Sequence, residues 1–205
     1  MNSYANPVLS SSVPGRGTRV LADAIPGDRL RDILLVLAGA GLTALGAQIS
    51  IHVPGSPVPV TGQTLGVVLA GASLGTWRGI ASQLVYLVLG LMLPIYAGGT
   101  SGTAVLWGPA GGYIFGFVLA AGVVGWAAEH GNDRRLLVAT VTFIVGQLAI
   151  YGIGIPWLKV SAGMSWGWTI HNGFTIFILG GLVKAVLAAI ATPTAWRIER
   201  RFSSR

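Results

Sequence analysis

Residues 33–51 read ILLVLAGAGLTALGAQISI, nineteen residues without a charge among them. A helix needs about 20 mostly apolar residues to cross the hydrocarbon core of a bilayer. This stretch is long enough to do so and offers little to a water-facing surface. The rest of the chain agrees. Of its 205 residues, 53% are hydrophobic and only 9% are charged, whereas a soluble domain carries about 25% charged residues. The composition therefore reads as an integral membrane protein. The absence of cysteine excludes disulfides, cysteine-ligated zinc and thiol catalysis.

Working outward from 33–51, five further spans are predicted, at 60–74, 79–94, 112–128, 136–158 and 172–191. The second is short and contains Gly66 and Gly71. A helix so interrupted leaves backbone groups unsatisfied in lipid, so it is expected inside the bundle or lining a cavity. Residues 1–32 are polar and punctuated by Pro14, Gly15 and Pro26. No apolar core of the kind a secretory signal needs precedes Ile33, and the segment is read as a mobile cytoplasmic tail. Residues 33–196 form one all-α, six-helix transmembrane domain, and 197–205 a basic cytoplasmic tail.

Charge placement gives the orientation. With the N-terminus inside, the cytoplasmic segments hold 11 of the 13 basic residues, namely Arg16, Arg19, Arg29, Arg31, Arg78, Arg134, Arg135, Arg197, Arg200, Arg201 and Arg205. The outer loops hold Lys159, and Lys184 lies within the last span. All six acids also fall inside. The bias predicts both termini in the cytoplasm and accounts for the net charge of +7 without nucleic acid. Trp77, Trp126 and Trp196 fall at predicted inner ends. Trp107, Trp157, Trp166 and Trp168 fall at outer ones, as in an aromatic belt facing membrane lipid on each side.

The glycine-rich stretch 97–117, AGGTSGTAVLWGPAGGYIFGF, then falls on the outer face. It has no lysine, so it is not a phosphate-binding Walker loop. Residues 97–111 are expected to cover or rim a pocket, while Gly112 and Gly116 permit tight helix contact.

The polar residues inside the spans carry the functional information. Lys184 lies 13 residues after His171, about 20 Å along a helix and so near mid-membrane. A lysine there is costly and should face the interior with a partner. Its alternatives are a ligand contact, or a lysine that snorkels to an interface or bonds backbone carbonyls with no ligand role. No span contains Asp or Glu, and His52, His130 and His171 have no metal-ligand spacing. Proton relays, magnesium-dependent phosphotransfer and metal-dependent hydrolysis all lack their groups, so no enzyme, cofactor or metal is expected. Gln63 and Thr64 open the second span. Gln83 and Tyr86 sit three apart, and Gln147 and Tyr151 four apart on one helix face. These pairs suit either interhelical hydrogen bonding or a pocket for a small amphipathic solute. In the first span Ala40 and Ala44 give a small-residue face, for packing within the bundle or for docking a membrane partner.

The segments VPGSPVPVTGQTLGVVLAGASLG, SQLVYLVLGLMLPIYAGG and GPAGGYIFGF resemble the BioY family, the biotin-specific S components of energy-coupling factor (ECF) transporters. The similarity runs from about Ala38 to Ile190. It implies a six-helix S-component fold that captures biotin or a close analogue near the outer face. It also implies a transmembrane coupling subunit and a pair of cytoplasmic ABC-type ATPases as partners, with docking on the first helix at Ala40 and Ala44. The expected substrate contacts are Lys184, Tyr86, Tyr151, Tyr113 (in the GPxGGY motif) and Gln63. The family pattern GDLxK is matched by Gly180-Gly181-Leu182-Val183-Lys184, so Gly181 stands where the family has aspartate. Something else must then partner Lys184. An S component for another vitamin, or a stand-alone small-solute facilitator, remain the alternative readings.

Overall fold

A computed structural model of the protein describes residues 20–203. Of the predicted tail 1–32, residues 1–19, with Arg16 and Arg19, lie outside the described residues, as does Arg205, whereas Val20 and Ala22 are buried in a core cluster. The fold is helical: α1 Arg29–Gln48, α2 Gln63–Leu74, α3 Thr76–Gly90, α4 Thr103–Trp107, α5 Gly111–Glu129, α6 Leu136–Ala162, α7 Trp166–Ile170 and α8 Ile176–Ser203. A π-helical turn, His171–Thr175, joins α7 to α8. Between α1 and α2 a two-stranded antiparallel hairpin pairs β1 Ser50–Ile51 with β2 Val60–Thr61. Each predicted span overlaps one of these helices. The first begins four residues earlier than expected, at Arg29, because Asp28 caps it by accepting from Leu30 N at 3.1 Å. The last runs past its predicted end at residue 191, through Arg197, Arg200 and Arg201.

Four helical stretches are long and apolar enough to cross a membrane: α1, α5, α6 and the continuous run Trp166–Arg201. At 12 and 15 residues, α2 and α3 are shorter. Leucines such as Leu137 and Leu179 are exposed on the outside of the bundle, a surface suited to lipid. The chain is a helical membrane protein.

Helix α5 lies at the centre, packed against α2, α3 and α6. Two thirds of its apolar window is buried, against a third or less for the other three. A helix apolar all round can be buried all round, and α5 achieves this with small residues. A Cβ on Gly125 would lie 2.4 Å from the carbonyl carbon of Gly75, so the corner between α2 and α3 sits directly on the α5 backbone. Gly75 turns that corner at φ +82, a conformation glycine adopts freely. Glu129, at the end of α5, then caps α3, accepting from Thr76 N at 2.8 Å and from Thr76 Oγ1 at 2.9 Å. As expected, α2 is inside, with Val67, Val68, Ala70, Ala72 and Leu74 buried.

Most of the charged groups, Lys159 and Lys184 apart, gather at one end of the bundle. Arg78 pairs with Asp23 and with Asp32, the latter at 3.1 Å, which ties the segment before α1 to α3. Trp196 Nε1 donates to Asp133 Oδ2 at 2.6 Å, and the Arg134 guanidinium lies 4.6 Å from the Trp196 ring centre. The hairpin, the 91–110 connection and the α6–α7 turn lie at the opposite end. The small-residue face of α1 is divided between two uses. Ala40 is buried in the chain's own core and Ala44 packs at the edge of that core. This removes Ala40 from reach of a docking partner, because α2 and α3 pack against that side of α1.

Candidate functional site

At the end away from the charges, the hairpin, α2, α5, α6 and α8 enclose a cavity of about 550 Å³, counting the space at its mouth. The room it leaves for a water-sized molecule is about 50 Å³. Its wall is mostly apolar. Val58, Ile114, Phe117, Ile150 and Phe177 line it, and Ala97, Val105 and Ala110 come from the 91–110 connection. The glycine-rich stretch therefore contributes part of the wall, as the sequence led us to expect.

The polar groups at the wall come from five elements, β2, α2, α5, α6 and α8. Lys184 of α8 lines the cavity, and its Nζ donates to the main-chain carbonyl of Thr61 at 2.7 Å. The carbonyl of β2 thus takes the place of a carboxylate partner. Gly181, one turn earlier on α8, leaves room. A Cβ there would lie 3.4 Å from the Tyr151 hydroxyl and 3.5 Å from Gln147 Cδ, ordinary contact distances. Gln147 Nε2 donates to the Tyr151 hydroxyl at 3.0 Å, and both residues line the cavity. Gln63, the first residue of α2, also lines it. Its Oε1 accepts from Thr61 Oγ1 at 2.7 Å and its Nε2 donates to the Tyr86 hydroxyl at 2.7 Å.

Tyr113, Tyr151 and Phe177 form an aromatic wall. The two tyrosine rings meet edge to face at 6.5 Å, and Tyr113 lies 6.1 Å from Phe177. Tyr113 is locked from two sides. Its hydroxyl donates to the Gly173 carbonyl in the π turn at 2.8 Å. Its ring lies on Gly154, where a Cβ would come within 2.5 Å. The π turn also receives a bond from the hairpin, Ser56 Oγ to the Asn172 carbonyl at 3.0 Å. Local π turns often mark functional sites, and this one fastens three elements at the cavity.

The structure therefore brings together Lys184, Tyr151, Tyr113 and Gln63 of the predicted contacts. Tyr86 does not join them at the wall. It is fully buried behind Gln63, and its hydroxyl donates to the Ile95 carbonyl at 3.2 Å. Its position supports Gln63 rather than forming the cavity surface. The sequence reading omitted Phe177 from the site although a signal was present. It precedes Lys184 by seven residues, two helical turns, and so shares its face. Among the described residues no cluster of His, Asp or Glu could hold a metal.

Comparison with known proteins agrees with this architecture. The family model described as the BioY family matches residues 17–201. The biotin transporter BioY2 of Lactococcus lactis subsp. cremoris is 35% identical over 163 residues, which is 79% of this chain and 88% of that protein. The biotin transporter BioY of Rhizobium etli is 38% identical over 172 residues, 78% of this chain and 90% of that protein. The crystal structure of an S-component for biotin from an ECF-type ABC transporter matches with a TM-score of 0.70 at 24% identity. It covers 88% of this chain and 96% of that one, which speaks to the fold. With the family model spanning nearly the whole helical domain, the chain belongs to the BioY family.

Proposed function

We propose that this chain is a membrane-embedded biotin-binding subunit, the S component of an ECF-type vitamin uptake system. It captures biotin, or a close analogue, in the cavity between the hairpin and α8. The observation that carries the reading is the cavity itself. A largely apolar wall is joined by one lysine, two tyrosines and two glutamines, a set suited to a small ligand with an aliphatic part and polar ends. Lys184 would meet an anionic or carbonyl-bearing group, Tyr113 and Tyr151 would flank the ring system, and Gln63 would offer its amide. Tyr86 would act through Gln63.

In this reading six segments cross the cytoplasmic membrane of a prokaryotic cell and both termini are cytoplasmic. The support is the crowding of charge at one end of the bundle, as the positive-inside rule requires. The cavity then opens to the outside. No ATPase motif occurs in the chain, so energy would come from a coupling subunit and cytoplasmic ABC-type ATPases. Their contact is placed on the outward stripe of α1 that runs through Leu37, Gly41 and Ala44. Leu37 is exposed, and a Cβ on Gly41 would meet nothing within 4 Å.

Mass spectrometry of the small molecule that copurifies with the protein tests the proposal. Biotin is the expected ligand. Consistent recovery of another vitamin, with no exchange for added biotin, would overturn it.

A further inference from the structure

Thr64, the second residue of α2, lines the cavity. Its Oγ1 is shielded from solvent, yet it has no hydrogen-bond partner among the described residues. Several other helical threonines here are arranged differently. A threonine within a helix commonly returns its hydroxyl to the carbonyl four residues earlier. Thr140 does so to Leu136 O at 2.9 Å, Thr192 to Ala188 O at 3.2 Å, and Thr194 to Ile190 O at 2.7 Å. Thr64 has no such outlet, because four residues back lies Val60 in β2, before α2 begins.

The polar groups around it are already engaged. Thr61 gives its hydroxyl to Gln63 and its carbonyl to Lys184. Gln63 gives its amide to Tyr86. A buried hydroxyl without a partner destabilises the protein that contains it. It faces the same space as Lys184, Gln147 and Tyr151.

We infer that Thr64 is a specificity-determining ligand contact, whose hydroxyl makes its hydrogen bond when a polar group of the substrate enters the cavity. A hydroxyl both donates and accepts, so it suits a ureido or carboxylate group equally. The inference rests on the reading of the cavity as a biotin site, and it adds the residue that selects a polar group on the α2 side. Thr64 thus carries an energetic cost in the empty protein that the ligand removes. That coupling separates a recognition residue from a packing residue, for which stability and affinity fall together.

The test uses the full chain purified in detergent, as wild type, Thr64→Val and Thr64→Ser. Thermal unfolding is measured without ligand, and calorimetry with biotin. Valine keeps the shape and removes the hydroxyl. The expected result for Thr64→Val is an unchanged or higher unfolding midpoint without ligand, with a biotin Kd raised about tenfold. Thr64→Ser should stay within about threefold of wild type. A wild-type Kd in Thr64→Val overturns the inference, and so does a lowered ligand-free midpoint accompanying the loss of affinity. If the wild type itself takes up no biotin, the biotin reading fails and this inference fails with it. An indifferent Thr64→Val against a binding wild type removes only the Thr64 role.

Discussion

Lys184 Nζ donates to the Thr61 carbonyl at 2.7 Å, joining the middle of the last helix to the second strand of the hairpin. The bond settles how a lone lysine is accommodated beside Gly181. An ammonium held by a single neutral carbonyl keeps donors for a ligand. Lys184→Ala should therefore weaken biotin binding by about 10- to 100-fold, the span of a lost hydrogen bond to a charged group of about 1.5–3 kcal/mol. Equilibrium binding in detergent checks this. An unchanged Kd would remove Lys184 from the site.

Gly181→Asp tests the position where the family motif carries aspartate. The Cβ fits without overlap, and the carboxylate would stand beside Tyr151 OH and Gln147 Nε2. It would also lie one turn from Lys184. New acceptor oxygens beside Tyr151 and Gln147, which line the cavity, should raise biotin affinity, by about tenfold for one charge-assisted bond. Weaker binding would show that this position does not face the ligand's polar ring.

Gly154→Ala should act on the site through packing alone. Its Cβ would come within 2.5 Å of the Tyr113 ring, and that ring is held by its bond to Gly173 O. Overpacking of this kind costs about 1–3 kcal/mol. Both the unfolding midpoint and biotin affinity should fall. A variant with both values intact would mean that Tyr113 is not locked as described.

Tyr86→Phe separates support from contact. It leaves the Gln63 amide without its buried acceptor, at a cost of about 1–3 kcal/mol of stability. The midpoint should drop by several degrees, and affinity should drop less than in Lys184→Ala. A larger loss of affinity than in Lys184→Ala would place Tyr86 at the ligand after all.

The charged end makes a pH prediction. Burial holds the Asp133 carboxyl above its ordinary value, although the bond from Trp196 Nε1 opposes the shift. The folded state therefore binds this proton more tightly than the unfolded state. The associated stability is fully present below the unfolded pKa, near 3.8, and is lost as pH rises through the folded value. Asp133→Asn keeps an acceptor for Trp196 and should flatten this decline in unfolding midpoint. Asp133→Ala should lower the midpoint at every pH by stranding the indole N–H. A decline of wild-type steepness in Asp133→Asn would assign it to another group.

Much of this protein was legible because lipid imposes so few solutions. Apolar runs such as 136–158 had to be helices, and the gathering of arginines at one end followed from the same constraint. The enclosed position of α2 was legible too, since its length and glycines suit no lipid-facing helix. What escaped was tertiary. Nothing local to Lys184 points to Thr61, 123 residues earlier, as its partner. The spacing of Ala40 and Ala44 defined a small-residue face but not its neighbour, and the structure turns Ala40 inward. Tyr86 looked like Tyr113 and Tyr151 as a polar aromatic within a span. Only packing distinguishes the one behind the wall from the two that form it.

The most direct test of the account is isothermal calorimetry of the ligand-free, detergent-purified chain with biotin, run alongside Lys184→Ala. The account predicts saturable binding near one biotin per chain, weakened about 10- to 100-fold by the substitution. No binding by the wild type, or equal binding by both proteins, would contradict it.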